Sequence, residues 1–146
     1  MPLSAAGEAK ALSIFLAFEP LLLRLYVSCA TAGGVPTVAT ILGDLVEPAF
    51  TGYAAKTLTN TLGAGTWAAP AGTPAASQYN AASPQSWTST GGAAQTVLGA
   101  FYVGANSGVF YHAEAFAAAQ VYNSATSPTN TFTPRLVLGG NPNPTS

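Results

Sequence analysis

The sequence predicts an all-β fold, an antiparallel β-sandwich or jelly roll with a short N-terminal helix and irregular arms. Several short apolar runs are separated by glycine- and proline-rich turn signals, which is typical of small antiparallel folds. Two aromatic-rich runs flank a short glycine-bounded loop near residue 106, which is the pattern of a β-hairpin. The 146 residues are enough for a single domain with its own core, which we place at residues 1–138.

Residues 1–20 predict an N-terminal helix or arm. Ser4 is suited to cap the helix, and Glu8 falls in the first turn, where the helix dipole favours a carboxylate. Pro20 has no backbone N–H to donate and is therefore expected to end the helix. The apolar run that follows, residues 21–27, is too short for a comfortable helix and predicts a buried strand.

The next segments are less regular. Residues 40–48 predict a short helical turn that its final proline stops, and residues 53–59 alternate well enough to predict a strand. Residues 60–90 are dominated by Thr, Ala, Gly, Pro and Ser and contain no long apolar run. Because β-branched Thr tolerates strands while Gly and Pro mark turns, we expect extended segments joined by loops there.

The hairpin is the clearest local pattern in the chain. Residues 95–103 and 109–116 form its two strands, and residues 104–108 form the loop between them. Residues 117–122 either continue the second strand or relax into a turn of helix.

The last predicted strand covers residues 131–138, where Pro134 implies an edge position or a bulge. Residues 139–146 are rich in Pro, Asn and Gly and contain no core residue, which predicts a flexible C-terminal tail.

The chain carries very little charge. Four basic and five acidic residues make only 6% of the sequence, against roughly 25% in an ordinary soluble domain. The four basic residues are spread along the chain, so no phosphate-tracking stripe can form and no nucleic-acid partner is expected. Glu19, Pro20 and Arg24 interrupt the apolar run 11–29, which argues against a membrane span or a signal peptide. A composition with so little charge suggests a protein whose surface packs against other protein chains.

His112 is the only histidine, so any acid–base chemistry would have to use it. In a strand, His112 and Glu114 point to the same face, and a carboxylate beside an imidazole is part of a catalytic triad. The chain contains no Gly-x-Ser-x-Gly nucleophile elbow to complete such a site. We therefore interpret the pair as structural and expect no enzymatic activity and no catalytic residue.

No metal or other cofactor is expected either. Asp44 and Glu47 lie three residues apart, which suits one face of a helix, but two ligands make a weak site. The single Cys29 excludes an intramolecular disulfide and a cysteine-based zinc site. It is either a small buried side chain or a thiol that pairs between chains.

Five stretches of the sequence carry a resemblance to a known group of proteins. They are Leu23-Arg24-Leu25-Tyr26, the block of residues 42–59, Tyr102-Val103 with Gly108-Val109-Phe110, Ala113-Glu114-Ala115-Phe116, and Thr133-Pro134-Arg135-Leu136-Val137-Leu138. Over roughly residues 20 to 138 the chain resembles small virion proteins encoded among the structural genes of tailed bacteriophages. The motifs are structural, so the resemblance supplies no active-site residues.

The resemblance implies a β-rich virion component on the capsid surface, a cement or decoration protein that stabilises the head by bridging capsomers. Its expected partners are the major capsid protein and further copies of itself, most simply as a homotrimer. The flexible termini would then serve as arms across neighbouring subunits.

Two other functions stay open at this stage. One is a tail-tip or fibre-associated module that binds host glycans by stacking them on Trp67, Trp87 or Tyr79, although core packing is the commoner role for such rings. The other is an exported cell-surface protein from which the first 29 residues are removed.

Overall fold

The computed structural model of the protein describes residues 3–80 and 83–138, which form a β-rich fold with one helix. Strand accounts for 43% of the described residues, so the fold is β-rich rather than plainly all-β. The elements in chain order are α1 (Ala5–Phe18), β1 (Leu21–Tyr26), β2 (Ser28–Cys29), a 3-10 turn (Leu42–Asp44), β3 (Leu45–Val46), β4 (Lys56–Leu58), β5 (Ala76–Gln78), β6 (Gln85–Thr88), β7 (Gln95–Gly104), β8 (Phe110–Tyr122), β9 (Thr129–Phe132) and β10 (Arg135–Val137).

One antiparallel sheet of four strands, in the order β4-β1-β7-β8, organises the molecule. Side chains alternate along β1 because successive residues of a strand point to opposite faces. Leu21, Leu23 and Leu25 are buried on one face, whereas Leu22 and Arg24 on the other face are half-buried.

The two faces of this sheet carry separate apolar clusters. Two further antiparallel pairs of strands, the ribbons β5–β10 and β6–β9, lie outside this sheet. On the face of Leu23, the main core includes Leu12 and Leu16 of α1 and side chains from these two ribbons. On the face of Tyr26, a smaller cluster contains Phe101 and is covered in part by residues 28–46. We call residues 28–46 the outer loop; the short pair β2–β3 closes it at its base.

Most of the predicted elements are confirmed. The Ser4 hydroxyl accepts a hydrogen bond from Gly7 N (3.1 Å), and α1 ends at Phe18, two residues before Pro20. The hairpin is present as β7 and β8, and β8 runs on to Tyr122, which resolves the open alternative in favour of strand.

Three predicted elements differ from the structure. The strand expected over residues 53–59 is limited to β4, and the helical turn expected over residues 40–48 is one 3-10 turn followed by β3. The single strand predicted over residues 131–138 is two strands, β9 and β10, which pair with different partners. The break falls at Pro134, which has no N–H to donate to a ladder but accepts a hydrogen bond from Tyr79 N through its carbonyl (2.9 Å). The predicted tail, residues 139–146, lies outside the described residues.

Candidate interaction surface

His112 and Glu114 lie on the same face of β8, as their spacing predicts. His112 is opposite Tyr102 on β7, and the Tyr102 hydroxyl donates a hydrogen bond to Glu114 Oε1 (2.8 Å). Glu114 is only 5% exposed, and burial raises the pKa of its carboxyl to about 7, while the hydrogen bond from Tyr102 and the nearby Arg135 oppose this increase. Burial also lowers the pKa of His112. These groups form a largely buried polar cluster that joins β7, β8 and β10.

A second buried carboxylate, Glu19, forms a cluster that the sequence did not predict. It follows α1 and accepts four hydrogen bonds from the hairpin: from Asn106 N (2.9 Å), Ser107 N (3.1 Å), Ser107 Oγ (2.6 Å) and the Tyr111 hydroxyl (2.7 Å). Hydrogen bonds from Ser107 and Tyr111 lower the pKa of Glu19 to about 2. A register shift in the β7–β8 ladder makes Tyr111 an extra residue on its strand. Glu19 therefore ties the end of the helix to the hairpin.

The two candidate metal ligands, Asp44 and Glu47, bind different partners. Asp44 Oδ2 accepts a hydrogen bond from Ile41 N (2.9 Å), which closes the 3-10 turn. Glu47 forms an ion pair with Arg24 (2.7 Å) and accepts a hydrogen bond from the Tyr53 hydroxyl (2.6 Å). Within residues 3–80 and 83–138, no three His, Cys, Asp or Glu side chains come together in a possible metal site. Cys29 is buried with its Sγ 3.1 Å from Thr31 Oγ1.

The aromatic rings considered for glycan stacking are inside the core. Trp67 and Trp87 are 0% and 2% exposed, and Tyr79 is also buried. Trp67 packs edge-on against Tyr79, with 5.2 Å between ring centroids, and Trp87 Nε1 donates to Ala54 O (2.8 Å). The interpretation of these rings as a ligand platform is therefore wrong, because a buried ring has no free face to stack on.

An open depression of about 240 Å³ lies beside the ribbon β5–β10. It is lined by two alanines, Ser77, Gln78 and Arg135, and the Ser77 hydroxyl is already bonded to Ala68 O (2.6 Å). Arg135 is thus its one charged lining residue, too little to indicate a ligand.

The outer loop carries the largest run of exposed apolar side chains. Val38 is 100% exposed and Ile41 is 64% exposed. The other large apolar side chains exposed on this loop are Val35, Leu42 and Val46. Asp44 is the only charged residue in the segment. Exposed apolar patches of this kind mark interaction sites more often than isolated exposed side chains do.

A second exposed apolar stripe runs along α1. Ile14 is 61% exposed and Phe18 is 71% exposed, and Lys10 lies four residues before Ile14 on the same side of the helix. Leu3, just before the helix, is exposed as well. We call these four residues the helix stripe. The opposite side of α1 carries the buried Leu12 and Leu16, so the helix is apolar on both sides. Such a pattern is typical of helices that are covered by other protein on both sides.

No helix among the described residues is long and apolar enough to cross a membrane. Comparisons with protein-family models, with curated proteins and with solved structures found no match to this chain.

Proposed function

We propose that this protein is a structural component of a tailed-bacteriophage virion, a capsid cement or decoration protein that bridges capsomers and is not an enzyme. The observation that carries the proposal is the exposure of two apolar surfaces, the outer loop and the helix stripe, on a chain with only 6% charged residues. Its proposed partners are the major capsid protein and further copies of itself, as a homotrimer on the capsid surface. The sequence resemblance supports the same assignment.

The proposal agrees with the amino-acid composition that permanent interfaces have. Such interfaces are more apolar than the rest of a protein surface, and charges are depleted from their centres. The outer loop meets this requirement because Asp44, its one charged residue, already accepts a hydrogen bond from its own turn. Repetition over many copies would make a weak contact strong without a deep pocket.

We also propose that the architecture is a variant of the antiparallel sandwich or jelly roll. The four-stranded sheet provides one layer, and the ribbons β5–β10 and β6–β9 provide the other. The support is that Leu136 of β10 and Trp87 of β6 belong to the same apolar cluster as Leu23 of the central sheet.

The alternative of a glycan-binding tail module has no comparable support. Its three candidate rings are buried, and the described residues offer no exposed Trp in their place. Addition of host oligosaccharides is accordingly expected to leave the tryptophan fluorescence of the protein unchanged.

The test is co-sedimentation of the purified protein with empty capsids assembled from the head proteins of the same genome. We expect saturable binding at a fixed number of copies per capsid. Because only 6% of the residues are charged, the binding should persist in about 1 M NaCl, where exposed charge pairs are screened. Capsids of an unrelated phage serve as the control. Protein that stays in the supernatant with its own capsids would refute the proposal.

A further inference from the structure

The two exposed apolar surfaces lie on opposite sides of the central sheet. The helix stripe belongs to α1, whose buried side packs on the face of Leu23. The outer loop covers the other face, where Cys29 and Leu45 of the loop pack with Tyr26. A single copy therefore cannot bring its own outer loop against its own helix stripe. Two copies can, and such a contact joins unlike surfaces, that is, head to tail.

The charges on the two surfaces favour this pairing. Lys10 is the only charged residue of the helix stripe, and it forms no ion pair with any residue of the described part of the chain. Asp44 is the only charged residue of the outer loop, and just one of its oxygens is bonded within the described residues. A loop-to-helix contact brings opposite charges together. Loop-to-loop or helix-to-helix contacts would instead place two like charges in one apolar interface with no opposite charge between them, which is unfavourable.

The exposed areas also suit a contact between copies. The five apolar side chains of the outer loop amount to about three fully exposed side chains, and those of the helix stripe to about two, at about 100 Å² each. One loop-to-helix contact would thus cover about 500 Å² of apolar side chain. That is about half of the apolar area in a standard interface of roughly 1,600 Å². A contact of this size is weak alone and becomes stable when a ring closes, because each copy then makes two contacts.

We propose that copies of this protein associate head to tail, with the outer loop of one copy seated on the helix stripe of the next. The inference rests on the proposed function in one respect: it names the surfaces through which the proposed homotrimer is built. Because the two surfaces lie on opposite sides of the sheet, three copies close into a ring only if each contact turns the next copy by one third of a turn; without that turn the contact extends into an open row of copies.

The test uses the full-length protein without capsids, in sedimentation velocity from low micromolar to near-millimolar concentration. Wild type is expected to form a concentration-dependent oligomer. Val38→Asp in the outer loop and Ile14→Asp in the helix stripe are each expected to raise the concentration needed for association at least tenfold. Both side chains are exposed, so neither substitution removes a core contact. Val121→Asp, at an exposed site on β8 outside both surfaces, is the matched control and should behave as wild type.

A mixture of the two variants distinguishes head-to-tail association from symmetric pairing. The Ile14→Asp chain keeps an intact loop and the Val38→Asp chain keeps an intact stripe, so the mixture should form a heterodimer and nothing larger. A wild type that stays monomeric throughout would overturn the inference. So would variants that associate as wild type does, or a mixture that remains monomeric even at near-millimolar concentration. Because no capsid is present, this result is independent of whether the protein binds capsids.

Discussion

The hydroxyl groups of Tyr26 and Tyr53 differ in their hydrogen bonding. The Tyr26 hydroxyl is fully buried and has no hydrogen-bond partner among the described residues. The Tyr53 hydroxyl donates to Glu47 Oε2 (2.6 Å) and accepts from Leu25 N (3.1 Å). A buried hydroxyl without a hydrogen-bond partner lowers the stability of the folded state, whereas a hydrogen bond to a carboxylate raises it.

The two tyrosines therefore predict opposite responses to the same substitution. Tyr26→Phe removes an unsatisfied group and should leave the free energy of unfolding unchanged or raise it by up to about 1 kcal/mol. Tyr53→Phe leaves Glu47 Oε2 without its donor and Leu25 N without its acceptor, and should lower that free energy by about 1–2 kcal/mol. Urea denaturation of both variants tests this. Equal losses in the two would show that Tyr26 has a partner after all.

Glu114 predicts an unusual pH dependence. Its pKa is about 7 in the fold against an ordinary 4.5, so between these values the folded protein binds a proton that the unfolded chain does not. The contribution of Glu114 to the free energy of unfolding should therefore fall as the pH rises from about 4.5 through about 7, by about 3 kcal/mol in all. His112, whose pKa burial lowers, acts in the opposite sense: its contribution is lost as the pH falls through its ordinary value.

The comparison with Glu114→Gln isolates the carboxyl, because His112, Tyr102 and Arg135 remain in both proteins. Near pH 4.5 the two should have similar free energies of unfolding, and above pH 7 the variant should be the more stable by about 3 kcal/mol. Urea denaturation across this range measures the difference. Parallel pH profiles for the two proteins would contradict the raised pKa.

At the residue scale the sequence predicts orientation but not environment. The period of two along a strand correctly places His112 and Glu114 on one face. Whether that face is exposed or buried depends on Tyr102 of β7 and Arg135 of β10, which belong to other strands. For the same reason the sequence left the roles of Trp67 and Trp87 open, since their burial is set by tertiary packing.

Among the elements, the hairpin and the helix depend on each other through Glu19. The carboxylate accepts two backbone and two side-chain hydrogen bonds from residues 106–111, more than 80 positions away. No local signal could have revealed this contact. By contrast, the helix cap at Ser4 and the hairpin itself rest on short-range patterns, and both were predicted correctly.

Acid should weaken the contact between Glu19 and the hairpin, and the substitution Glu19→Gln should remove this acid dependence. Because the pKa of Glu19 is about 2 in the fold, its stabilisation is complete above about pH 4.5 and is lost as the pH falls toward 2. Glu19→Gln should lower Tm at neutral pH by several degrees and flatten the decline of Tm below pH 4.5. The control is Glu8→Gln, because Glu8 accepts a single hydrogen bond, from Ala75 N (3.2 Å). A decline as steep as that of wild type would contradict the assignment.

The central sheet requires a glycine at position 99. Gly99 lies opposite Tyr26 on β1 and Ala115 on β8, and an added Cβ would overlap the Glu114 carbonyl oxygen and the Tyr26 ring. Gly99→Ala should therefore lower the free energy of unfolding by about 2–3 kcal/mol. Gly43→Ala, where a Cβ meets nothing within 4 Å, should change it by less than about 0.5 kcal/mol. Similar losses in both variants would contradict the close packing at position 99.

At the scale of the whole molecule, the accessible surface is that of an ordinary folded monomer. It measures 7361 Å², close to the roughly 6,900 Å² expected for a compact protein of 14.6 kDa. The unusual property is the composition of this surface, because charges are scarce and the outer loop exposes its apolar side chains. The sequence predicted the first feature directly. It did not predict which segment would be exposed, since residues 35–46 are as apolar as many core segments.

The most direct test of the proposed cement role is a cryo-electron microscopy map of empty capsids after incubation with the purified protein. A cement protein is expected to give regular additional density at threefold or quasi-threefold positions, with the outer loop buried in a contact between subunits. Bare capsids, or density confined to a tail or a single vertex, would contradict it.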